Sequence, residues 1–192
     1  MNQERNILIE ILNNYVTGDG QEREDVGVIR GFVEQFENIF VRDCLSAHMT
    51  GSALVVNPDT RQVLLHNHIK LNRWLQFGGH ADGETDMAKV AMKEAREETG
   101  LTDLVFANPE MAKMPIDIEV QTIPEKNGVP EHKHLDFRYV IYTKATEVPK
   151  PDEGESQDLK FFGFEELALL TDKLDPALIR LVLKAKKLID GQ

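Results

Sequence analysis

The stretch from residue 78 to 101, GGHADGETDMAKVAMKEAREETGL, limits most strongly what this chain can fold into. Its second half predicts a helix over residues 86–99, with successive side chains about 100° apart. An apolar stripe runs along that helix, formed by Met87, Val90 and Ala91. Three carboxylates continue the same stripe: Glu94, Glu97 and Glu98. The basic residues point the other way on this helix: Lys89, Lys93 and Arg96.

This placement of the carboxylates predicts a metal site. A Glu-rich helix end is usually a solvated face, but a solvated face would lie opposite the apolar stripe and not continue it. Partly buried carboxylates are costly unless they are neutralised, and like charges four residues apart on a helix repel each other. A divalent cation removes this cost, and oxygen ligands suit Mg²⁺ or Mn²⁺. We therefore expect a metal site facing a groove, beside a turn at Gly78-Gly79.

Length and composition narrow the function classes. The chain has 192 residues, 41% of them hydrophobic, which suits one globular domain with a small appendage. A net charge of -11 argues against binding to polymeric nucleic acid, which needs a basic surface. Cys44 is the only cysteine, which excludes an intrachain disulfide and a cysteine metal cluster. No signal peptide is expected, and no run reaches the roughly 18 apolar residues of a membrane span. We expect a cytoplasmic protein without a membrane partner.

The chain divides into a helical beginning and a mixed remainder. Helical patterns over residues 3–16 and 24–40 predict an N-terminal helical appendage over residues 1–45, packed on a main domain over residues 46–192. Strand patterns follow in "TGSALVVN", "QVLLHNH", "LVFAN", "IDIEVQTIP", "LDFRYVIYTKA" and "LKFFGF". The first two of these predict a hairpin, and "DPALIRLVLKAKKL" predicts a terminal helix capped by Asp175. The pattern as a whole favours an α/β or α+β sandwich.

The segment 79–101 resembles the Nudix hydrolase signature. That signature is a Gly, five residues, a Glu, seven residues, then Arg-Glu-apolar-x-Glu-Glu-x-Gly-apolar. The matching residues are Glu94, Ala95, Glu97, Glu98, Gly100 and Leu101. Thr85 stands where the first Glu belongs, and Lys93 where the Arg belongs. Glu84 lies one residue early and is expected to substitute in part for the displaced Glu.

The resemblance implies a Nudix-type α/β/α sandwich with a mixed sheet, preceded by the N-terminal helices. It implies a divalent-metal-dependent hydrolase that cleaves the pyrophosphate linkage of a nucleoside diphosphate linked to another group X. Glu94, Glu97 and Glu98 would bind Mg²⁺, with Mn²⁺ as the alternative, and the Gly78 carbonyl would be a further ligand. Either Glu97 or Glu94 would be the general base for the attacking water.

Two other functions stay open for a chain with this resemblance. Thr85 and Lys93 motivate a catalytically weak or inactive Nudix-fold protein that binds a nucleotide in a regulatory role. An isomerase acting on isopentenyl diphosphate would need a cysteine in the catalytic groove, and Cys44 precedes the domain core. The substrate is expected to be a small nucleotide-type molecule, and the appendage is expected to form a homodimer interface or to cover the groove.

Several residues outside the signature are candidates for substrate binding. On the strand "EHKHLDFRY", His134, Asp136 and Arg138 would line the substrate groove, although a strand with one polar face is equally consistent with the pattern. The remaining candidates are Lys70 and Arg73 for phosphate, Glu155 for a further carboxylate, and Trp74 for a base. The alternative for Lys70 and Arg73 is that they are simply exposed charges. Glu155 would then belong to a solvated acidic loop, and Trp74 to the core.

Overall fold

The computed structural model describes residues 3–68, 72–149, 156–170 and 174–191. The helices are α1 (Gln3–Asn14), α2 (Gly20–Gln35), α3 (Met87–Thr99), α4 (Phe164–Ala168) and α5 (Pro176–Asp190), with a short 3-10 helix at Pro109–Ala112. The strands are β1 (Ala47–Asn57), β2 (Gln62–His68), β3 (Arg73–Leu75), β4 (Phe77–His80), β5 (Val105–Phe106), β6 (Asp117–Ile123), β7 (His132–Tyr142) and β8 (Ser156–Gly163).

Strand β1 is the centre of a mixed sheet that contains all eight strands named above. It pairs in parallel with β7 along its length, and its end pairs antiparallel with β2, where Val55 lies opposite Leu64. The first part of β1 pairs antiparallel with β4, where Gly51 lies opposite Gly79. Strands β3 and β8 continue the sheet from β2, and β5 and β6 pair with β7. All eleven residues of β1 are buried, as expected for a strand covered on both faces.

Helices cover both faces of the sheet and give two hydrophobic cores. Alternate residues of β1 point to opposite faces, so Met49 packs in one core and Leu54 in the other. The first core holds the buried residues of α1, α2 and α3, and the second holds those of α4 and α5. The predicted α/β/α sandwich with a mixed sheet and N-terminal helices is confirmed.

The ends of the elements follow local signals in the sequence. The Asp175 carboxylate accepts a hydrogen bond from the Ala177 N–H and caps α5, as predicted. Asn127 and Gly128 have φ of 53° and 82° and form the tip of the β6–β7 hairpin. Helix α2 starts earlier than residue 24, because the Asp19 side chain caps it by accepting from the Glu22 N–H.

The predicted turn at Gly78-Gly79 is wrong. Both glycines lie inside β4, where they pair with Ser52 and Gly51 of β1. The preceding segment RWLQF forms β3 and the start of β4. Glycines are common in turns, but here they allow the backbone and side chains of neighbouring elements to approach β4 closely.

A buried group of charges joins the N-terminal helices to the sheet and to α5. Glu22 of α2 is fully buried and accepts hydrogen bonds from Lys184 Nζ at 2.5 Å and from the Ile118 N–H at 3.0 Å. Tyr15 donates to the same carboxylate. Burial raises the pKa of Glu22, but the hydrogen bonds from Lys184 and its neighbours outweigh this and lower the pKa to about 2. The carboxylate is therefore ionised and paired at neutral pH.

None of the helices in the described part of the chain is long and apolar enough to cross a membrane.

We predict that Glu22→Gln lowers the free energy of unfolding by about 3 kcal/mol, because it removes one of the two buried carboxylates that pair with Lys184, the other being Asp117. Glu24→Gln, on the exposed side of the same helix, is the matched control and should change this free energy by less than about 0.5 kcal/mol. Urea denaturation followed by circular dichroism measures both values. Equal losses in the two variants would contradict the role of the buried charge group.

The same pair of variants gives a pH test. The pKa of Glu22 is lowered in the folded chain, so its stabilisation is present above the unfolded value of 4.5 and is lost as the pH falls towards 2. The difference in stability between the wild type and Glu22→Gln should shrink over this range. A difference that stays constant from neutral pH to pH 2 would contradict the ion pair.

Candidate active site

Short polar contacts fix the loop that leads into α3. The Asp86 carboxylate caps the helix by accepting from the Ala88 and Lys89 N–H groups at 3.1 and 3.3 Å. Glu84 Oε1 accepts from the N–H groups of Thr85 at 2.8 Å and Asp86 at 3.0 Å. Glu84 thus holds the loop from one residue before the position of the first Glu of the signature. Gly100, with φ of 70°, ends the helix in the left-handed conformation.

Two glycines let α3 lie directly on the sheet. A Cβ at Gly51 of β1 would lie 2.6 Å from the Met87 backbone oxygen. A Cβ at Gly79 of β4 would lie 2.5 Å from Glu94 Cδ. Both distances are below 3.0 Å, which real Cβ atoms essentially never show to a non-bonded heavy atom. The carboxylate of Glu94 therefore occupies the space that any other residue at position 79 would need.

Glu94 and Glu98 face the sheet, as predicted, whereas Glu97 does not. The side chains of Glu94 and Glu98 are 17% and 12% exposed, and that of Glu97 is 57% exposed. The Gly78 N–H donates a hydrogen bond to Glu98 Oε1 at 3.1 Å. Glu97 lies on the edge of the apolar stripe, so its flexible side chain reaches solvent. The expectation that all three carboxylates point inward is wrong for Glu97.

Lys93 turns back over the carboxylates and does not point away from them. Its Nζ lies 3.0 Å from Glu94 Oε1 and 3.1 Å from Glu97 Oε2. The hydrogen bond to Glu94, and then that to Glu97, raises the pKa of Lys93. The prediction that Lys93 points away from the carboxylates was wrong. Its four-carbon side chain is long enough for the ammonium to lie far from where the Cβ points.

Among the described residues, the carboxylates of the site outnumber the cations beside them. His66 Nδ1 lies 3.8 Å from Glu98 Oε2, but burial, with a smaller effect of His68, lowers the pKa of His66 to about 4. The imidazole is therefore neutral at neutral pH. Lys93 offsets part of the charge of Glu94 and Glu97, and a divalent cation would add positive charge beside these carboxylates. A cluster of carboxylate oxygens beside a strand that offers backbone groups fits the ligands that Mg²⁺ and Mn²⁺ prefer.

Asp136 and Arg138 lie in the interior, on the opposite face of the sheet from α3. Asp136 accepts hydrogen bonds from Ser52 Oγ at 2.8 Å and from Thr50 Oγ1 at 2.9 Å. Arg138 Nε donates to Asp136 at 3.0 Å. Burial raises the pKa of Asp136 to about 6, even though the hydroxyl donors act in the other direction. Both predicted substrate-binding side chains are thus bonded to protein groups.

The other sequence candidates are dispersed. Arg73 is exposed on β3, and Trp74 packs edge-on against Phe162 with ring centroids 4.8 Å apart, as a partly buried neighbour of the second core. Cys44 is buried. Lys70 and Glu155 lie outside the described residues.

The structure also brings together histidines that the sequence analysis did not connect. His134 meets His48 of β1 and His80 of β4, with ring centroids 5.1 and 4.7 Å away. A period-two pattern in the sequence HMTGS places His48, Thr50 and Ser52 on one face of β1, and this signal was present but not used.

A family model described as the NUDIX domain matches residues 47–183, which excludes the N-terminal helices. A crystal structure of a NUDIX-family hydrolase from Clostridium perfringens is 26% identical, with a TM-score of 0.57, and the match covers 73% of this chain and 97% of that one. A C. elegans Ap4A hydrolase in a binary complex is 16% identical with the same TM-score, covering 75% and 98%. A possible asymmetric diadenosine tetraphosphate hydrolase from Jonesia denitrificans is 13% identical with a TM-score of 0.55, covering 74% and 94%. The last two likenesses concern the fold. A comparison with curated proteins finds no match.

We predict different effects for alanine at the two glycines that α3 contacts closely. Gly51→Ala pushes against helix backbone, which cannot yield locally, and should lower the free energy of unfolding by about 1 to 3 kcal/mol. Gly79→Ala pushes against the end of the flexible Glu94 side chain, so it should cost less stability but weaken Mn²⁺ binding. Urea denaturation and Mn²⁺ titration by electron paramagnetic resonance measure the two effects. Unchanged Mn²⁺ binding in Gly79→Ala would contradict the placement of Glu94 in the metal site.

Proposed function

Because the chain belongs to the Nudix hydrolase family, we propose that it is a divalent-metal-dependent pyrophosphohydrolase. Its substrate class is a nucleoside diphosphate linked to another group X. The observation that carries this proposal is the meeting of the Glu94 and Glu98 carboxylates with the Gly78-Gly79 segment of β4. The family match extends over the whole sheet and α3, so these carboxylates lie within the matched region.

Glu94, Glu97 and Glu98 would hold the metal ion, Mg²⁺ by preference and Mn²⁺ as the alternative. The Gly78 carbonyl is proposed as a further ligand, since the glycine leaves this backbone accessible. The Gly78 N–H orients Glu98, and Lys93 brings the carboxylates of Glu94 and Glu97 together. When bound, the metal would supply charge neutralisation on the oxygens of the pyrophosphate.

The general base is proposed to be Glu97 or Glu94, which would accept the proton of the attacking water. The exposure of Glu97 gives water direct access to its carboxylate. Glu94 is less exposed, but its carboxylate lies against β4, next to the segment that would contact the phosphates. The proton acceptor must lie within hydrogen-bond reach of the attacking water. Both side chains start from the same end of α3, so either one is a candidate.

Nucleotide binding without hydrolysis is the second candidate function. It is suggested by the departures from the family signature at Thr85 and Lys93. Two observations favour hydrolysis over this alternative. Glu84 already makes the backbone hydrogen bonds that hold the loop before α3. Lys93 keeps a positive charge within 3.1 Å of two carboxylates, although an ammonium lacks the planar fork of arginine. Glu94 and Glu98 are largely buried against the sheet in a chain that carries both departures, which supports hydrolysis.

The X group is best approached with a panel of substrates. Two of the structural relatives are named for hydrolysis of diadenosine tetraphosphate, so dinucleoside polyphosphates belong in the panel. ADP-ribose, nucleotide sugars and oxidised nucleoside triphosphates complete it. Asp136, Arg138 and His134 are proposed to support the groove from the interior of the sheet, and Arg73 is the exposed candidate for phosphate contact. A homodimer and a cytoplasmic location stay predictions.

We predict that the protein with Mg²⁺ or Mn²⁺ converts at least one member of this panel into two phosphorylated products. Chromatography with phosphate-sensitive detection measures the products, and omission of the metal is the control. Tight binding of one compound without turnover of any would support the regulatory alternative and refute hydrolysis.

For the reactive substrate, Glu97→Gln and Glu98→Gln should each lower kcat by at least about 100-fold, the scale on which a catalytic acid or base contributes. Glu110→Gln is the matched control. Glu110 lies outside α3 and is an exposed carboxylate that pairs with Lys113. Full activity in both site variants would refute the assignment of these carboxylates.

A further inference from the structure

A group of histidines lies on the face of the sheet opposite α3, and none of its members is proposed above as a metal ligand or as the general base. His48 of β1 and His134 of β7 are directly paired across parallel strands. His80 of β4 pairs with the backbone of Thr50, two residues along β1 from His48. Three different strands thus bring these imidazoles together, and one ligand nitrogen from each lies within 4.8 Å of the other two.

The strand geometry separates this group from the carboxylates. A Cβ at Gly79 would meet Glu94, so position 79 faces α3. A Cβ at Gly78 would meet the Ser52 side chain, so position 78 faces the other side. Because residues alternate along a strand, His80 faces the same side as Gly78 and Ser52. The sheet therefore lies between the histidines and the proposed magnesium site.

The hydrogen bonding of His48 is that of a ligand. Its Nδ1 lies 3.3 Å from the Cys44 carbonyl oxygen, so a proton on Nδ1 is directed to that acceptor. Its Nε2 is buried and has no hydrogen-bond partner among the described residues. Metal-ligating histidines characteristically donate the other ring N–H to a backbone carbonyl, which leaves the second nitrogen for the metal. His48 is 5% exposed, so water does not readily satisfy this nitrogen.

The contact between His80 and His134 completes the arrangement. Their Nε2 atoms lie 3.1 Å apart. Two nitrogens bound to one tetrahedral ion at about 2.0 Å would be roughly 3.3 Å apart, so this pair already has the required separation. Bringing all three nitrogens onto one ion would need ring movements on the order of 1 Å.

The charge state of the rings is compatible with metal binding. Burial lowers the pKa of His48, and it lowers that of His80 to about 4 and that of His134 to about 3, with smaller effects of the neighbouring charges. A metal ligand must be a neutral imidazole, so protons do not compete for these nitrogens at neutral pH.

We propose that His48, His80 and His134 bind one transition-metal ion of the zinc class and thereby link strands β1, β4 and β7. Imidazole nitrogens favour zinc and its neighbours over Mg²⁺, which prefers oxygen. Three protein ligands leave a fourth position for water. His132 lies beside the group, with its ring centroid 4.9 Å from that of His48, and borders the site.

The test is a Zn²⁺ titration of the full chain, with any affinity tag removed, after treatment with a chelator. Excess MgCl2 keeps the carboxylate site occupied, and a chromophoric chelator reports the competition for zinc. We expect one Zn²⁺ bound per chain with micromolar or tighter affinity, and a rise in the melting temperature on binding. A wild-type chain that binds no Zn²⁺ under these conditions would overturn the proposal.

Variants then locate the ion. His80→Ala, at a partly exposed position, should lower the Zn²⁺ affinity by at least about 100-fold, since even the loss of an outer partner of a ligand costs 10- to 100-fold. His68→Ala, a histidine outside the group, and Glu98→Gln should bind Zn²⁺ like the wild type. Circular dichroism checks that each variant is folded. Loss of zinc binding in Glu98→Gln with retention in His80→Ala would place the ion at the carboxylates and overturn the proposal.

Discussion

The close contact of α3 with strands β1 and β4 is the constraint on which the rest of the site depends. Gly51 admits the helix backbone, and Gly79 admits the Glu94 carboxylate. A side chain at either position would separate helix and sheet or displace the carboxylate. The hydrogen bond from the Gly78 backbone to Glu98 exists only because this contact brings the end of α3 over β4. The chemistry of the site is therefore a consequence of packing at two residues without side chains.

Charge is distributed differently on the two faces of the sheet. On the α3 face, the described carboxylates gather around one lysine, and such a group of oxygens suits a cation. On the other face, the buried acids are paired within the protein: Asp117 accepts from Arg180 at 2.8 Å, and Asp136 accepts from Arg138 at 3.0 Å. Buried charges of this kind are tolerated only when they are paired. Lys184 of α5 pairs with both Glu22 and Asp117, which ties the N-terminal helices to β6 and α5, whereas the α3 face holds the proposed site.

Much of the fold was predictable because the signals are local. The apolar stripe of α3 and the cap at Asp175 act through neighbouring residues, so sequence reveals them. The location of Glu94 and Glu98 on the inner side of α3 followed from helical periodicity alone. The family resemblance rested on the same segment, and it matched the fold later observed.

The errors arose where the outcome depends on distant contacts or on side-chain length. The Gly78-Gly79 pair resembles a turn in the sequence. Glycines are needed there because Ser52 contacts one side of β4 and Glu94 the other, and both residues are distant in the sequence. Lys93 has the helical position of an outward residue, yet its long chain returns to two carboxylates. His48, His80 and His134 meet only because β1 pairs with both β4 and β7, and pairing partners cannot be deduced from one strand.

Strand β4 contributes to both faces within three residues, and this has a consequence for how the chain can change. A single-residue insertion or deletion before Gly78 would turn each of its side chains to the opposite face. After a deletion, the imidazole of residue 80 would take the position of Gly79 and be forced against Glu94, and after either change the histidine group would lose a member. One small genetic event would thus disable the carboxylate site and the histidine site together. Length changes in this strand should therefore be far less tolerated than substitutions at its exposed neighbours in β3.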